Sequence, residues 1–218
     1  VLKLGGLVID EQSYPEDAND FRSQIQHLMG KSAEREKVDY RQKSEDELLD
    51  DLFIPDHPEY PATTFDALFL PDYADRIGLI APQLAFYGVQ DLPLLGINGW
   101  NSPDLLRLAG RYVEGAVFVD GFFLDSPYPF VKEFIDIYVE TYGEEPSILE
   151  AQAFDSANIL FAQLSKPGVT DRESMRQAIA ELQNYPGVTG ATRFDFTGEA
   201  DKVLFQLQIK DGGIVQIN

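Results

Sequence analysis

The sequence predicts an α/β fold in which a parallel sheet is covered by helices on both faces. Short apolar runs that suit buried strands alternate with segments whose apolar residues recur at helical spacing. Four such strands are predicted in the first half of the chain, at residues 4–9, 65–70, 92–97 and 115–119. Strands that alternate with helices in this way are typical of βαβ units, and the strands of such units pair in parallel.

Composition indicates a folded chain and limits the classes of partner that it can bind. Of 218 residues, 44% are hydrophobic and 25% are charged, as in globular proteins. The net charge of −20 disfavours nucleic acids and anionic membrane surfaces. The chain has no cysteine, which excludes disulfides and thiolate metal sites and is compatible with a location outside the cytoplasm. No apolar run approaches the roughly 20 residues of a membrane span.

Three helices are predicted between these strands. The first follows the Tyr14-Pro15 loop with Asp17 as its cap, and the second contains Pro82, which either kinks or divides it. The third begins with Ser102 as cap and Pro103 at the first helical position. Their predicted bounds are residues 17–30, 72–88 and 102–110.

Residues 31–64 differ from the rest of the first half. Apolar content falls, charges of both signs alternate, and residues 44–51 carry five carboxylates in eight positions. We expect a charged, solvated insertion with one short helix capped by Ser44. The acidic run lacks the alternating oxygen ligands and central glycine of an EF-hand loop, so a solvated face is the favoured interpretation over a calcium site.

The second half predicts three helices followed by strands. The helices are expected at residues 129–142, at 147–164, and after Thr170, with Glu173 completing a capping box. The first of these should bury a stripe formed by Phe130, Phe134, Ile135, Ile137 and Tyr138. Strands are expected at 191–196, 203–210 and 214–217, and the turn at residues 211–213 joins the last two as a hairpin.

The expected binding surface is one edge of the sheet. Ligands of parallel α/β sheets lie beyond the carboxyl ends of the strands. These ends are residues 10–14, 71–73, 98–101 and 120–123.

No catalytic motif accompanies this surface. The sequence has neither a phosphate-binding loop nor a dinucleotide fingerprint, and it has no G-x-S-x-G elbow. The two histidines, His27 and His57, are interpreted as surface or structural residues. We therefore expect no enzyme activity, no cofactor and no metal site.

Several short stretches stand in a fixed order along the chain: FDALFLPDY (65–73), IAPQL (80–84), LLGING (94–99), VEGAV (113–117) and AFDSA (153–157). Before the last of them, a predicted helix ends in Tyr142-Gly143-Glu144-Glu145-Pro146 and another helix begins. In this order the stretches resemble type I periplasmic binding proteins, most closely the leucine/isoleucine/valine-binding family of ABC-transporter receptors.

The resemblance implies a two-lobed α/β receptor, joined by three crossings, that clamps a small polar ligand for an ABC-transporter permease. Residues 1–120 would form a lobe of the carboxy-terminal type with the insertion at 31–64, and residues 121–218 would supply crossover helices and returning strands. On this mapping the chain begins inside the second lobe and lacks the first part of the amino-terminal lobe. The implied location is periplasmic or extracytoplasmic, with a lipid anchor as an option for the full-length protein.

By the same resemblance, the ligand contacts would come from Tyr73 and the Asn98-Gly99-Trp100 turn, with Glu150 as a contact from the returning segment. Amino-acid receptors of this family tend to have an acid where this chain has the neutral Asn98, which argues against an α-amino acid as the ligand unless Asp72 or Glu150 substitutes for that acid. Two alternatives stay open: Tyr73 packs at the start of a helix, and Trp100 fills the edge of the lobe.

A second resemblance leaves another function open. Residues 82–94 and 114–120 are similar to the lipoprotein activators of penicillin-binding proteins, which have a domain of the same fold. That resemblance implies a regulator of a cell-wall synthase that acts through protein contacts, with an empty cleft and with the acidic insertion as a docking loop.

Overall fold

The computed structural model describes residues 5–29, 65–89 and 91–217. The predicted insertion at 31–64, including Ser44, His57 and the acidic run, lies outside the described residues. Leu4 and Gly30 also lie outside them.

Among the described residues, the main sheet has five strands in the order β1-β2-β3-β6-β7. β1, β2 and β3 are parallel, as predicted, and the carboxy-terminal hairpin β6–β7 adds to β3 in antiparallel orientation. A separate antiparallel pair consists of β4 and β5. The strands are β1 Leu68–Phe69, β2 Leu94–Gly96, β3 Val117–Asp120, β4 Thr192–Phe194, β5 Ala200–Lys202, β6 Phe205–Lys210 and β7 Gly213–Gln216.

Six α-helices are present in the described part of the chain, and short 3₁₀ turns at Asn98–Trp100 and Gly110–Val113 flank the third. Pro82 lies inside α2 without dividing it. The helices are α1 Arg22–Leu28, α2 Ala74–Phe86, α3 Pro103–Ala109, α4 Pro129–Tyr142, α5 Ile148–Leu164 and α6 Arg172–Ala180.

Two of the predicted helix caps are wrong. α1 begins after Phe21 instead of Asp17, and the Arg22 N–H donates to the side chain of Asp20. α6 is capped by Asp171, whose carboxylate accepts from the Ser174 N–H, so the predicted Thr170 cap lies one residue too early. In both cases neighbouring polar residues compete for the cap, and the chain direction at the helix entry decides between them.

The first predicted strand is not formed. Residues 7–9 are neither paired nor buried in the described structure; Leu7, Val8 and Ile9 are 76%, 63% and 58% exposed. An apolar run becomes a buried strand only when a neighbouring strand and a covering layer are present. β1 is also shorter than predicted, and Phe69 is 57% exposed.

The core lies between the sheet and the helices α2 and α3. Ile77, Trp100, Leu105, Phe118 and Leu207 are at most 1% exposed. The Trp100 ring lies directly against Gly96, so closely that a Cβ at this glycine would overlap it. Because a side chain at residue 96 would displace the ring, glycine at the end of β2 determines how the following turn packs.

α4 has the predicted bounds, and its buried face only partly matches the predicted one. Val131 and Phe134 are buried, whereas Phe130 and Ile137 are 44% and 57% exposed. The Phe134 ring contacts Phe154 of α5, with their centroids 4.7 Å apart. The predicted stripe is confirmed for Phe134, Ile135 and Tyr138, which are buried or pack against the core. It is wrong for Phe130 and Ile137, because an aromatic-rich helix offers more than one apolar face and only tertiary contacts select between them.

The chain after α5 is attached to that helix by a buried carboxylate. Asp155 is 3% exposed and accepts hydrogen bonds from the Val188 N–H at 2.8 Å, the Thr189 N–H at 2.8 Å and the Thr189 hydroxyl at 2.5 Å. Lys202 of β5 places its Nζ 4.0 Å from the same carboxylate and donates to the Thr189 hydroxyl. Asp155 therefore joins α5, the loop before β4, and β5.

The Asp155 cluster gives the first testable prediction. Asp155→Ala leaves buried donors without an acceptor, so we expect it to lower the free energy of unfolding by about 3 kcal/mol. Gly187→Ala should also destabilise the protein, because a Cβ there would overlap the Asp155 carboxylate. Urea denaturation measures both variants.

Asp136→Ala is the matched control for Asp155→Ala. Asp136 pairs with Lys132 on the surface of α4, where its side chain is 62% exposed. The control should cost less than about 0.5 kcal/mol. Equal effects of the two aspartate substitutions would contradict the assigned role of Asp155.

Candidate functional site

The carboxyl ends of β1, β2 and β3 lie side by side and are connected by side-chain contacts. After β1, Tyr73 lies against the turn that follows β2: a Cβ at Gly99 would be 2.7 Å from the Tyr73 ring. After β2, Asn101 Nδ2 donates to the carboxylate of Asp120 at the end of β3, at 2.7 Å. The parallel register thus assembles one continuous surface from three loops.

A cavity of about 460 Å³ opens at this edge of the sheet. Its volume lies in the range of small-molecule sites, which are commonly about 300–1,000 Å³. The walls combine apolar and polar groups from the loops after β2 and β3, the start of α5, and β7. They include Pro103, Leu106, Phe122, Phe123, Ile148 and Ile214, and the polar residues Asn98, Asn101, Asp120, Asp125 and Ser147.

Asp120 is the most buried acid of this wall, at 9% exposure. Its Oδ1 accepts from the N–H groups of Gly121 at 2.6 Å and Phe122 at 3.4 Å. Burial raises the pKa of the Asp120 carboxyl above its usual value, and hydrogen bonds from Asn101, Gly121 and Phe122 oppose that rise by stabilising the charged form.

Asn98 and Tyr73 are the predicted site residues that lie at this surface. Asn98 is exposed and lines the cavity. Tyr73 is 66% exposed and borders the Asn98-Gly99 turn, although it does not line the cavity itself. Its backbone precedes α2, and the Arg76 and Ile77 N–H groups donate to its carbonyl oxygen.

Asp72 is engaged within the protein. Its Oδ2 accepts from the Tyr14 hydroxyl at 2.7 Å, and its Oδ1 accepts from the Tyr73 N–H at 2.8 Å. Burial and the bond to Asp72 both raise the pKa of Tyr14, so the Tyr14 hydroxyl stays a donor. Asp72 therefore links Tyr14 to the end of β1.

Glu150 acts as a helix cap at the border of the cavity. Its Oε2 accepts from the N–H of Ser147 at 2.8 Å and from the Ser147 hydroxyl, which form the capping box of α5. These bonds hold the pKa of Glu150 below its usual value. Ser147 lines the cavity, and Glu150 follows it by about one turn of the same helix. Glu150 itself is not a lining residue.

Trp100 is fully buried and packs in the core, with its ring centroid 6.2 Å from that of Phe118. The structure does not bring its ring to the cavity. This placement agrees with the alternative in that Trp100 is a packing residue, but the ring lies in the core and not at the edge of the lobe.

Four polar residues of the cavity were missed as individual site residues: Asn101, Asp120, Asp125 and Ser147. Two of them fall inside the strand-end ranges 98–101 and 120–123 that the sequence identifies. Ser147 is recognisable from sequence as a helix cap, but nothing local indicates that the start of α5 lies opposite the end of β3.

A second, larger depression of about 580 Å³ lies between the end of α5 and α6. It is lined by Leu164, Met175, Ile179 and polar residues of α6, a helix without buried residues. Because it lies away from the strand ends and against an exposed helix, it is a weaker candidate site.

Neither a metal centre nor a membrane span is found in the described structure. Its acidic and histidine residues form no group of three or more that could hold a metal ion. Of its helices, none is long and apolar enough to cross a membrane.

The placements of Trp100 and Tyr73 predict losses of stability of very different size. Trp100→Ala removes a fully buried ring and should lower the free energy of unfolding by about 3–5 kcal/mol. Tyr73→Ala removes a mostly exposed ring and should cost less than about 1 kcal/mol. Chemical denaturation of both variants tests this, and a similar cost for the two would contradict the described packing.

The Glu150 cap predicts a pH-dependent contribution to stability. Since the folded pKa of Glu150 is lowered, its contribution is present above the ordinary glutamate pKa of about 4.3 and is lost as pH falls through the folded value. The difference in urea midpoint between wild type and Glu150→Ala should therefore shrink between pH 7 and pH 3. Glu133→Ala, at an exposed position of α4, is the control, and a Glu150 effect that persists in acid would refute the cap.

Comparisons with known proteins place this geometry in a family. A family model described as "Periplasmic binding protein" matches residues 1–213. No curated protein matches the chain at a significant level. The solved structures that match are longer, and the chain spans about half the length of those described here.

Three solved structures illustrate the likeness. A Rhodospirillum rubrum protein, provisionally described as a branched-chain amino acid ABC transporter, is 34% identical over 70% of this chain and 44% of its own, with a TM-score of 0.65. The leucine binding protein LivK from Thermotoga maritima is 24% identical over 100% of this chain and 53% of its own, with a TM-score of 0.63. LivJ from Streptococcus pneumoniae, a branched-chain amino acid substrate binding protein solved with isoleucine, is 22% identical over 98% and 53%, with a TM-score of 0.57.

The matches to LivK and LivJ show that this chain shares their fold. The family model extends over nearly the whole chain. The parallel strands and the cavity at their carboxyl ends agree with that match. The chain therefore belongs to the periplasmic binding protein family, with the type I fold.

Proposed function

We propose that this chain forms part of an extracytoplasmic receptor that binds a small polar ligand, such as an amino acid, for an ABC transporter. The observation that carries the proposal is the cavity at the ends of β2 and β3, where apolar walls surround a few polar groups. Sites of this composition orient small ligands by hydrogen bonds while apolar contacts supply affinity.

The hydrogen-bonded frame of the cavity supports binding without catalysis. Asp120 and Asn101 are held by bonds within the protein. A reaction would need a nucleophile or a proton donor with an activating partner in the same place, and the described lining residues offer no such pair.

The family supports the partner and the location. The relatives described above are named as ABC-transporter proteins and amino-acid binding proteins. A permease in the membrane is accordingly the proposed protein partner, and the periplasm or its equivalent the proposed location. Closure of two lobes around the ligand would couple binding to transport.

Binding of amino acids by the full-length protein tests the proposal. We expect one or a few of the twenty amino acids to bind saturably in isothermal titration calorimetry and to raise the Tm by several degrees. At a ligand concentration of 100 Kd the stabilisation is about 2.7 kcal/mol. Asn98→Ala should weaken that binding, because Asn98 lines the cavity.

Asn19→Ala is the matched control, since Asn19 is exposed and its carbonyl contacts Gln83 near the far end of α2. It should leave affinity unchanged. No response to any amino acid or small metabolite, together with capture of a penicillin-binding protein, would contradict the receptor role and favour the activator of cell-wall synthesis.

A further inference from the structure

We infer that the cavity wall at the end of β3 receives a positively charged N–H donor of the ligand, such as a protonated amino group, with Asp120 as its counter-charge. This inference rests on the receptor role proposed above and specifies which part of a ligand faces which part of the site. It follows from the hydrogen bonds of the wall: most donors are already bonded within the protein, and acceptors are left for a ligand.

The donors of the Asn101 side chain are used within the protein. Asn101 Nδ2 donates to Asp120 Oδ2 at 2.7 Å and to the carbonyl oxygen of Phe122 at 3.2 Å. The opposite amide orientation would place an oxygen against the carboxylate and the carbonyl, so the orientation is determined by its surroundings. The part of Asn101 left for a ligand is its Oδ1, an acceptor.

The backbone donors around Asp120 are used in the same way. The N–H groups of Gly121 and Phe122 donate to Asp120 Oδ1, and the Asn101 N–H donates to the carbonyl oxygen of Asn98. Asp120 Oδ2 accepts only one of the hydrogen bonds found among the described residues. A carboxylate oxygen has room for a second, so Asp120 can still accept from a ligand.

Across the cavity, Ser147 is also an acceptor toward a ligand. The Ser147 hydroxyl donates to Glu150 Oε2, and the Ser147 N–H donates to the same carboxylate. Ser147 Oγ already accepts from the Leu149 N–H at 3.2 Å, so one lone pair of this oxygen is left for a ligand. The amino end of α5 would otherwise favour an anion here. The Glu150 carboxylate occupies that end and offsets its positive charge, which removes the main attraction for an anionic ligand group.

The charges of the lining residues also favour a positively charged ligand group. Two carboxylates, Asp120 and Asp125, face the cavity, and the described lining residues include no Lys, Arg or His. Asp120 is the buried member of the pair, whereas Asp125 is exposed and is screened by solvent. A wall of acceptors with a buried negative charge complements an ammonium group, which has three donors and no acceptor.

Binding of a matched pair of probes by the full-length protein tests the inference. The amino acid that binds tightest is compared with its deaminated acid; for leucine the pair is leucine and 4-methylpentanoate. We expect the amino acid to bind at least about 10-fold tighter, because loss of a charge-assisted hydrogen bond has about this effect. This comparison uses the wild-type protein and does not depend on the folding of a variant.

Asp120→Asn then assigns the effect to one residue. It should weaken binding of the amino acid by about 10- to 100-fold and change binding of the deaminated acid by less than about threefold. Asp136→Asn, on the surface of α4, is the control and should change neither value. The melting temperature of each variant verifies its fold.

Three results would overturn the inference. The deaminated acid could bind as tightly as the amino acid, or Asp120→Asn could weaken both probes equally, which would assign Asp120 a purely structural role. Either result leaves the receptor function intact. Failure of every amino acid and analogue to bind would contradict the receptor function as well.

Discussion

Parallel pairing of β1, β2 and β3 is the constraint on which the candidate site depends. Because all three strands run in the same direction, the loops that follow them leave the sheet at one edge. The Tyr73 ring against Gly99 and the Asn101–Asp120 hydrogen bond then connect neighbouring loops. The cavity lies along this edge, and α5 and the carboxy-terminal hairpin close its other sides.

Asp120 connects the fold to the proposed chemistry. A buried carboxylate is costly unless hydrogen bonds stabilise it, and here Asn101, Gly121 and Phe122 supply them. In doing so they use the donors of the wall, which leaves acceptors toward the cavity. The hydrogen bonds that stabilise the buried Asp120 carboxylate are thus also the basis of the proposed preference for a positively charged ligand group.

The sequence predicted the site at the level of loops but not of side chains. Strand ends are recognisable because apolar runs stop at polar residues, and ranges 98–101 and 120–123 were identified in this way. Trp100 was misleading because its ring turns inward against Gly96, and Glu150 because it caps its own helix. The missing first strand and the unpredicted β5, which has only one apolar residue, depend on pairing partners that no local pattern encodes.

Hydrogen exchange of the full-length protein, with and without its tightest amino acid, tests most directly whether the carboxyl edge of the sheet is the binding surface. The account predicts slower exchange on binding in residues 98–101 and 120–125, with no change in α6. Slower exchange confined to residues 164–179, or none in residues 98–125 at saturation, would contradict it.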